Sequence, residues 1–220
     1  QRMEEVLQPL LGPYAAVTCC STDGAVSTLM PIERMAIQGA IPRRQKEFAA
    51  GRAAARKCML LLGRSAVPIP MQDDRSRQWP AGLVGSISHS RAACISVVAI
   101  KSRWKAVGVD VEPDQDLPRE LWDLVGLPGE LRRASALPKA LQARWMMRIF
   151  CAKEAYYKWI FPQTQCLLEF HNAEVVIGAT LESTEFQVYP QHLDVNSVLP
   201  NNLSGRLVIE QGLVTSLIIN

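Results

Sequence analysis

The sequence predicts an α+β fold made of two helix-on-sheet units. Three observations carry that expectation: a long helical segment with clear ends in each half, strand-like runs joined by short polar breaks, and a C-terminal hairpin. The first helix is expected over 43–62, with Pro42 just ahead of it and Gly63 just after. A loop rich in Pro, Asp and Arg follows over 67–80. Strands are then expected over 83–88, 93–100 and 106–112, broken by His89-Ser90-Arg91 and Lys101-Ser102-Arg103 and closed by Pro113. Residues 114–137 read as short helices and turns. The second long helix is expected over 138–160, with Pro162 as its stop. Leu141, Trp145, Ile149 (or Arg148), Ala152, Tyr156 and Trp159 recur at three- and four-residue steps and mark its core side, leaving Lys153 off the stripe. The tail reads as strands over 173–177 and 185–188 and a hairpin, 206–210 against 213–219, turning at Gln211-Gly212.

Composition narrows the function. The chain has 220 residues, 48% of them hydrophobic, and a mean hydropathy of +0.03, which excludes a disordered polyelectrolyte. The strand-like run Ala92–Ile100 is too short for a membrane helix and contains Ser96. The N-terminus carries acids and no signal-peptide core, so a cytoplasmic location is expected. Six scattered cysteines, with no Cys-x-x-Cys pair and no ligand rhythm among three histidines, read as reduced thiols rather than a zinc ribbon. The net charge of +3 hides an asymmetry. Residues 1–108 hold 15 Lys/Arg against 7 Asp/Glu, and residues 109–220 hold 9 against 14. Two halves, 1–108 basic and 109–220 acidic, are expected to form one integrated unit that grips a polyanion on one side. Chance surface charge is the alternative.

Four constellations carry chemistry. Asp110 and Glu112 alternate along a strand and share a face, whereas Val109 and Val111 point to the core. Paired carboxylates want a cation, and their oxygens favour Mg²⁺ or Ca²⁺, although a solvated sheet edge has the same pattern. Glu154 and Lys158 lie four apart in the second helix and stack on one face, as ordinary surface pairs also do. Gly85-Ser86-Ile87-Ser88-His89-Ser90 ends a strand with small hydroxyl residues and a histidine, a combination suited to phosphate. Arg52 falls inside the apolar stripe of the first helix, where a buried guanidinium needs an anion. It belongs to a segment, 34–57, with seven basic residues and one acid, and Arg75 and Arg77 extend that basic supply.

Taken in order, these fragments resemble the phosphopantetheinyl transferases of the surfactin and enterobactin type. The resemblance rests on Gly108-Val109-Asp110-Val111-Glu112, on Phe150-Cys151-x-Lys153-Glu154-Ala155-x-x-Lys158, on Ser88-His89, on Arg44 through Arg52, and on Arg75 ahead of Trp79-Pro80. It covers residues 43–160. It implies a pseudo-twofold pair of α+β halves, each a long helix on a small antiparallel sheet, with coenzyme A between them. The implied enzyme, of the holo-[acyl-carrier-protein] synthase type, moves the phosphopantetheine arm of coenzyme A to a serine of an apo acyl or peptidyl carrier protein and releases adenosine 3′,5′-bisphosphate. Asp110, Glu112 and Glu154 are then expected to hold Mg²⁺. Lys158 is expected on the pyrophosphate, and Glu154 as the acceptor of the serine proton. Arg44, Arg52, Arg75, Ser88, His89, Lys153 and Lys158 are expected to contact coenzyme A. The stretch 117–137, with Leu121, Trp122, Leu124, Val125, Arg132 and Arg133, is a candidate carrier surface or a packed connection. A monomer is expected, with no nucleic-acid or membrane partner. A Mg²⁺ nuclease usually sets its Glu-x-Lys on a strand, which argues against that rival. A non-catalytic coenzyme A-binding module is opposed by the presence of all three acids and Lys158. Siderophore, polyketide, non-ribosomal peptide and fatty-acid carriers stay open.

Overall fold

The computed structural model describes residues 2–74, 76–178, 182, 184–191 and 200–220. The chain begins with α1 (Arg2–Leu11), β1 (Ala15–Cys20) and a short α2 (Pro31–Met35), and then enters α3 (Pro42–Leu61). Strands β2 (Leu83–His89), β3 (Cys94–Ile100) and β4 (Val107–Pro113) come next. Two short helices, α4 (Trp122–Val125) and α5 (Pro128–Ser135), lead to α6 (Lys139–Thr164). The tail is β5 (Ala173–Ile177), β6 (Glu185–Pro190), β7 (Leu203–Glu210) and β8 (Leu213–Ile219). Helices and antiparallel strands therefore form the expected α+β class, with α1 and β1 added to the elements read from sequence.

The strands form two antiparallel sheets. One has the order β1-β3-β2 and the other β4-β8-β7-β6-β5, so the chain passes between sheets in the turn from Ile100 to Val107. Helix α3 lies on the three-stranded sheet and α6 on the five-stranded one. Strand β1 pairs with β3 from Ala15↔Ala99 to Cys20↔Cys94, which completes the first sheet from a segment not among the elements read from sequence. The β7–β8 turn behaves as its residues dictate: Gln211 and Gly212 have φ of 53° and 75°, the double left-handed geometry that matches strand twist in a two-residue hairpin.

Two features hold the site. Where the sheets meet, β4 runs beside β2, and Ser86 Oγ accepts the Val109 N–H at 3.1 Å. Against the other side of β4, α6 approaches so closely that a Cβ on Gly108 would lie 2.0 Å from the Ala155 carbonyl oxygen. Only a residue without a side chain fits there.

Helix α6 departs from the expected bounds. It runs through Pro162 to Thr164 and ends where Gln165 turns left-handed at φ 56°, its N–H donating to Phe161 O at 2.8 Å. A proline this close to the end forfeits one helical hydrogen bond, and the buried Trp159, Ile160 and Phe161 hold the last turns in place.

Lys153 is also not on an outer face. It is 3% exposed, and its ammonium donates to Glu130 Oε2 at 2.7 Å, Val125 O at 2.8 Å and Phe170 O at 2.9 Å. Glu130 in turn accepts the N–H groups of Leu127 at 2.7 Å and Val175 at 2.6 Å. Helices α4 and α5 fold over this side of α6, so the ion pair ties four elements together. Burial pushes the Lys153 ammonium below its ordinary value, and Glu130 opposes that shift. Lys153→Met is expected to cost about 3–5 kcal/mol, because it strands a buried carboxylate. A denaturant melt within about 1 kcal/mol of the parent, the usual span of an exposed pair, would place Lys153 outside the core.

Candidate active site

The seam between the sheets gathers most of the chemistry-bearing residues. Asp110 projects from β4 and is 2% exposed. Its Oδ1 accepts the Ser88 hydroxyl at 2.7 Å and the Lys158 ammonium, and Lys158 Nζ also donates to Ser88 Oγ at 2.8 Å. Strands β2 and β4 and helix α6 each contribute one member of this triad. Asp110 Oδ2 is buried without a hydrogen-bond partner. A buried carboxylate oxygen without a hydrogen-bond partner is costly and marks a place for a donor or a cation.

Glu112 and Glu154 lie within charge range of Asp110. Burial, reinforced by Asp110, pushes Glu112 up to about 7. Burial also raises Glu154; Lys158 counters that shift and Asp110 adds to it. These are acids pressed together and partly dried, with Lys158 as the local counter-charge. Their donor set is all oxygen, as a hard divalent cation prefers. Among the described residues, no group of three or more Asp, Glu, His or Cys side chains is placed to hold a metal ion. Lys158 is the counter-charge at Asp110 Oδ1.

This arrangement fixes a sign for stability. The Glu112 value in the fold, about 7, lies above the ordinary 4.5, so between those limits the folded protein holds a proton that the unfolded chain has released. Without a divalent cation, stability from this site therefore falls as pH rises through that window. The melting temperature in EDTA should drop across it, and Glu112→Gln should flatten the drop. A slope unchanged in Glu112→Gln would remove Glu112 from the acidic cluster.

The second group is cationic and sits at the end of β2. Arg44 Nη1 donates to His89 Nε2, and His89 Nδ1 is 3.9 Å from Glu47 Oε2. Burial lowers the His89 value, with Arg44 adding to the effect, so the ring favours its neutral form. Arg52 is buried as its position in α3 requires. Its Nε donates to Ile69 O at 2.9 Å, and its guanidinium lies 4.0 Å over the Phe48 ring. Arg77 donates to Ile87 O at 3.0 Å, and its Nε is buried without a partner. Burial lowers Arg52 to about 9 and Arg77 to about 10, each with another arginine adding to the effect. Among the described residues no carboxylate hydrogen-bonds to Arg52 or Arg77, whereas Arg56 beside them is satisfied by Glu33 at 2.8 Å. Crowded, dried arginines without an anion are a ready receptor for one.

Of the residues expected to touch coenzyme A, Arg44, Arg52 and His89 stand in this group. Lys158 and Ser88 stand with the carboxylates. Ser88 thus turns its hydroxyl toward Asp110 rather than outward. Lys153 is committed to its internal ion pair on the far side of α6, and Arg75 lies outside the described residues. Arg77, read from sequence only as one more basic residue, is half-buried by the fold, with its Nε atom fully enclosed. No sequence signal separates it from its neighbours.

Two cavities border α6 near Glu154 and Lys158. One of about 510 Å³ is lined by Lys153, Glu154, Tyr156, Tyr157, Leu168 and Phe170 among others, and is mostly apolar. A smaller one of about 300 Å³ is lined by Arg77, Trp79, Ser86, Tyr157 and Lys158 among others. Glu154 lines the first, Lys158 the second, and Tyr157 borders both.

Comparison with known proteins finds relatives across both halves of the chain. Residues 32–99 match the model of the 4′-phosphopantetheinyl transferase N-terminal domain, and residues 106–199 match the 4′-phosphopantetheinyl transferase superfamily. The chain is 33% identical over 198 residues to the 4′-phosphopantetheinyl transferase PptT of Mycobacterium tuberculosis, covering 87% of this chain and 86% of that one. It is 34% identical over 145 residues to the transferase Npt of Nocardia iowensis, covering 66% and 64% of the two chains. With enterobactin synthase component D of Salmonella typhi it shares 36% over 137 residues, covering 60% and 55%.

Proposed function

Since the chain belongs to the 4′-phosphopantetheinyl transferase superfamily, we propose that it transfers the phosphopantetheine arm of coenzyme A to a serine of an apo carrier protein, releasing adenosine 3′,5′-bisphosphate. The observation that carries the reading is the juxtaposition of a carboxylate cluster around buried Asp110 with Arg52 and Arg77, to which no carboxylate hydrogen-bonds among the described residues. Coenzyme A supplies phosphates for one and a cation-binding pyrophosphate for the other.

In this reading Arg44, Arg52, Arg77 and His89 hold the nucleotide phosphates, with Arg75 a further candidate. The apolar cavity beside Glu154 receives the uncharged arm, which leaves the pyrophosphate at Lys158. Lys158 then leaves Asp110 for the phosphate, where its charge counts most as the leaving group develops. Glu154, its acidity weakened by burial, takes the proton of the incoming serine. The serine oxygen forms a bond to the phosphorus bearing the arm, and the bridging P–O bond to the adenosine bisphosphate breaks. Asp110, Glu112 and Glu154 are the residues that would hold Mg²⁺, with the orphaned Asp110 Oδ2 as the open position. A bound cation would neutralise the pyrophosphate toward attack. We read α3 with its three strands and α6 with its five as the two pseudo-twofold halves.

For the carrier surface, Leu117, Trp122 and Val125 are buried and Arg133 is paired with Glu174 at 2.8 Å. Of the residues singled out in 117–137, that leaves Leu121, Leu124 and Arg132 facing outward.

The test is intact mass of an apo carrier protein incubated with coenzyme A and Mg²⁺, alongside EDTA and Glu154→Gln. A gain of one phosphopantetheine arm, absent from both controls, is the expected result. Coenzyme A binding without transfer to any of several carriers would instead indicate a non-catalytic binding module.

A further inference from the structure

All six cysteines are free thiols, but two of them face each other. Cys20 ends β1 and stands directly opposite Cys94 on β3, and in an antiparallel pair opposite residues share a face. Both sulfurs lie beneath one turn of α3. Cys20 Sγ is 3.9 Å from Ala50 O, and Cys94 Sγ would be 3.7 Å from a Cβ on Gly51. The same row continues to β2, where Cys94 is opposite His89. Cys20, Cys94 and His89 are therefore consecutive across the sheet, and His89 is the partner of Arg44.

We propose that Cys20 and Cys94 form a dithiol that a peroxide oxidises to a cross-strand disulfide, and that the bridge weakens phosphate capture at the adjoining His89–Arg44 pair. The second half of this inference rests on the coenzyme A reading; the first does not. Cys20 is the attacking thiol. It is only partly buried, whereas Cys94 is fully enclosed. The Cys94 thiol hydrogen-bonds to it, which holds Cys20 below the ordinary thiol value and Cys94 above. The Cys20 thiolate displaces hydroxide from hydrogen peroxide and becomes a sulfenic acid. The Cys94 sulfur then attacks the Cys20 sulfur, its proton leaves with the departing hydroxide, and the disulfide forms. Overall, two thiols lose two electrons and two protons, and one peroxide becomes two waters.

Geometry favours this pair over the other thiols. Cys19 alternates to the opposite face, where its N–H donates to Glu4 Oε1 at 2.7 Å. Cys58 is held by Thr18 Oγ1 at 3.3 Å and Ser96 O at 3.4 Å, and burial raises it to about 11. Opposite Cβ atoms on paired strands lie about 4.5–5.5 Å apart, and a disulfide draws them to about 3.8 Å. The closure displaces Cys94 beneath Gly51 and, through β3, shifts His89.

The full-length protein is treated with hydrogen peroxide, residual thiols are alkylated, and peptides are mapped by mass. The expected result is a loss of two hydrogens and one linked pair, Cys20 with Cys94, reversed by dithiothreitol and absent from both Cys20→Ser and Cys94→Ala. Coenzyme A Kd, measured by calorimetry, should rise about tenfold on oxidation of the parent, the scale of one charge-assisted contact, and stay level in Cys20→Ser. Full alkylation of both thiols after peroxide, or a bridge to another cysteine, would overturn the dithiol. A mapped Cys20–Cys94 bridge with unchanged Kd would overturn its coupling to capture. Failure of the reduced protein to bind coenzyme A would count against the proposed function, while the peptide map still decides the dithiol.

Discussion

Asp110→Asn should reduce transfer to a carrier protein by on the order of 10²–10³-fold, the scale of losing one group that stabilises developing charge. The substitution keeps the shape and removes the charge. Ser88 and Lys158, which both now donate to Asp110 Oδ1, are left with at most a neutral amide oxygen as acceptor. The oxygen that stands buried without a partner becomes an amide nitrogen or a neutral carbonyl. Glu112 and Glu154 lose a repelling neighbour, so the cation-free variant should melt no lower than the parent, and coenzyme A affinity should fall far less than transfer. The experiment pairs a carrier-mass time course with a melt in EDTA. A variant that keeps more than about a tenth of parental transfer would make the carboxylates a polar sheet edge, because a charge that matters in the transition state cannot be removed so cheaply.

The largest effect on the fold is expected from Gly108→Ala. The added methyl carbon would lie 2.0 Å from the Ala155 carbonyl oxygen, 2.7 Å from Trp159 Cβ and 2.8 Å from Trp159 N. None of these is the free end of a flexible side chain; two are helix backbone and the third is bonded to it. Helix α6 would have to lift from β4, at a cost of about 3 kcal/mol or more, above the usual range for overpacking. Glu154 and Lys158 flank that contact along α6, so the lift also separates Lys158 from Asp110, and transfer should fall with stability. Gly39→Ala is the control, with nothing within 4 Å of the added carbon. Equal melting of the two variants would show that β4 and α6 are not in tight contact.

That glycine also explains part of why the site is legible in the sequence. The strand motif requires a residue with no side chain beneath α6, then two carboxylates on one face, and the helix motif requires an acid and a lysine one turn apart. Each requirement is local, and the strand and helix periods suffice to put Asp110 with Glu112 and Glu154 with Lys158 on shared faces. The same holds for α3 with its proline start, for the Gln211-Gly212 turn, and for burial of Arg52, which the apolar stripe around it demands.

Elsewhere the decision was not local. Lys153 sits in the motif beside Glu154, yet its environment is set by α4, α5 and the 170–172 turn, whose approach no helical spacing encodes. Ser88 faces a carboxylate because β2 happens to lie against β4, a meeting of two sheets that share no backbone ladder. Strand β1 exists because β3 offers it an edge, and Pro162 stays helical because its neighbours are buried. Of the arginines read as one basic supply, Arg56 is neutralised by Glu33 and Arg77 is half-buried with its enclosed Nε unpaired. By itself the sequence determined which side chains carry charge and on which face of its own element each one lies, since helix and strand periods are properties of the backbone. Only the tertiary structure decided which of those charges meet a partner and which stay unpaired, because burial and pairing depend on elements that are distant in the chain.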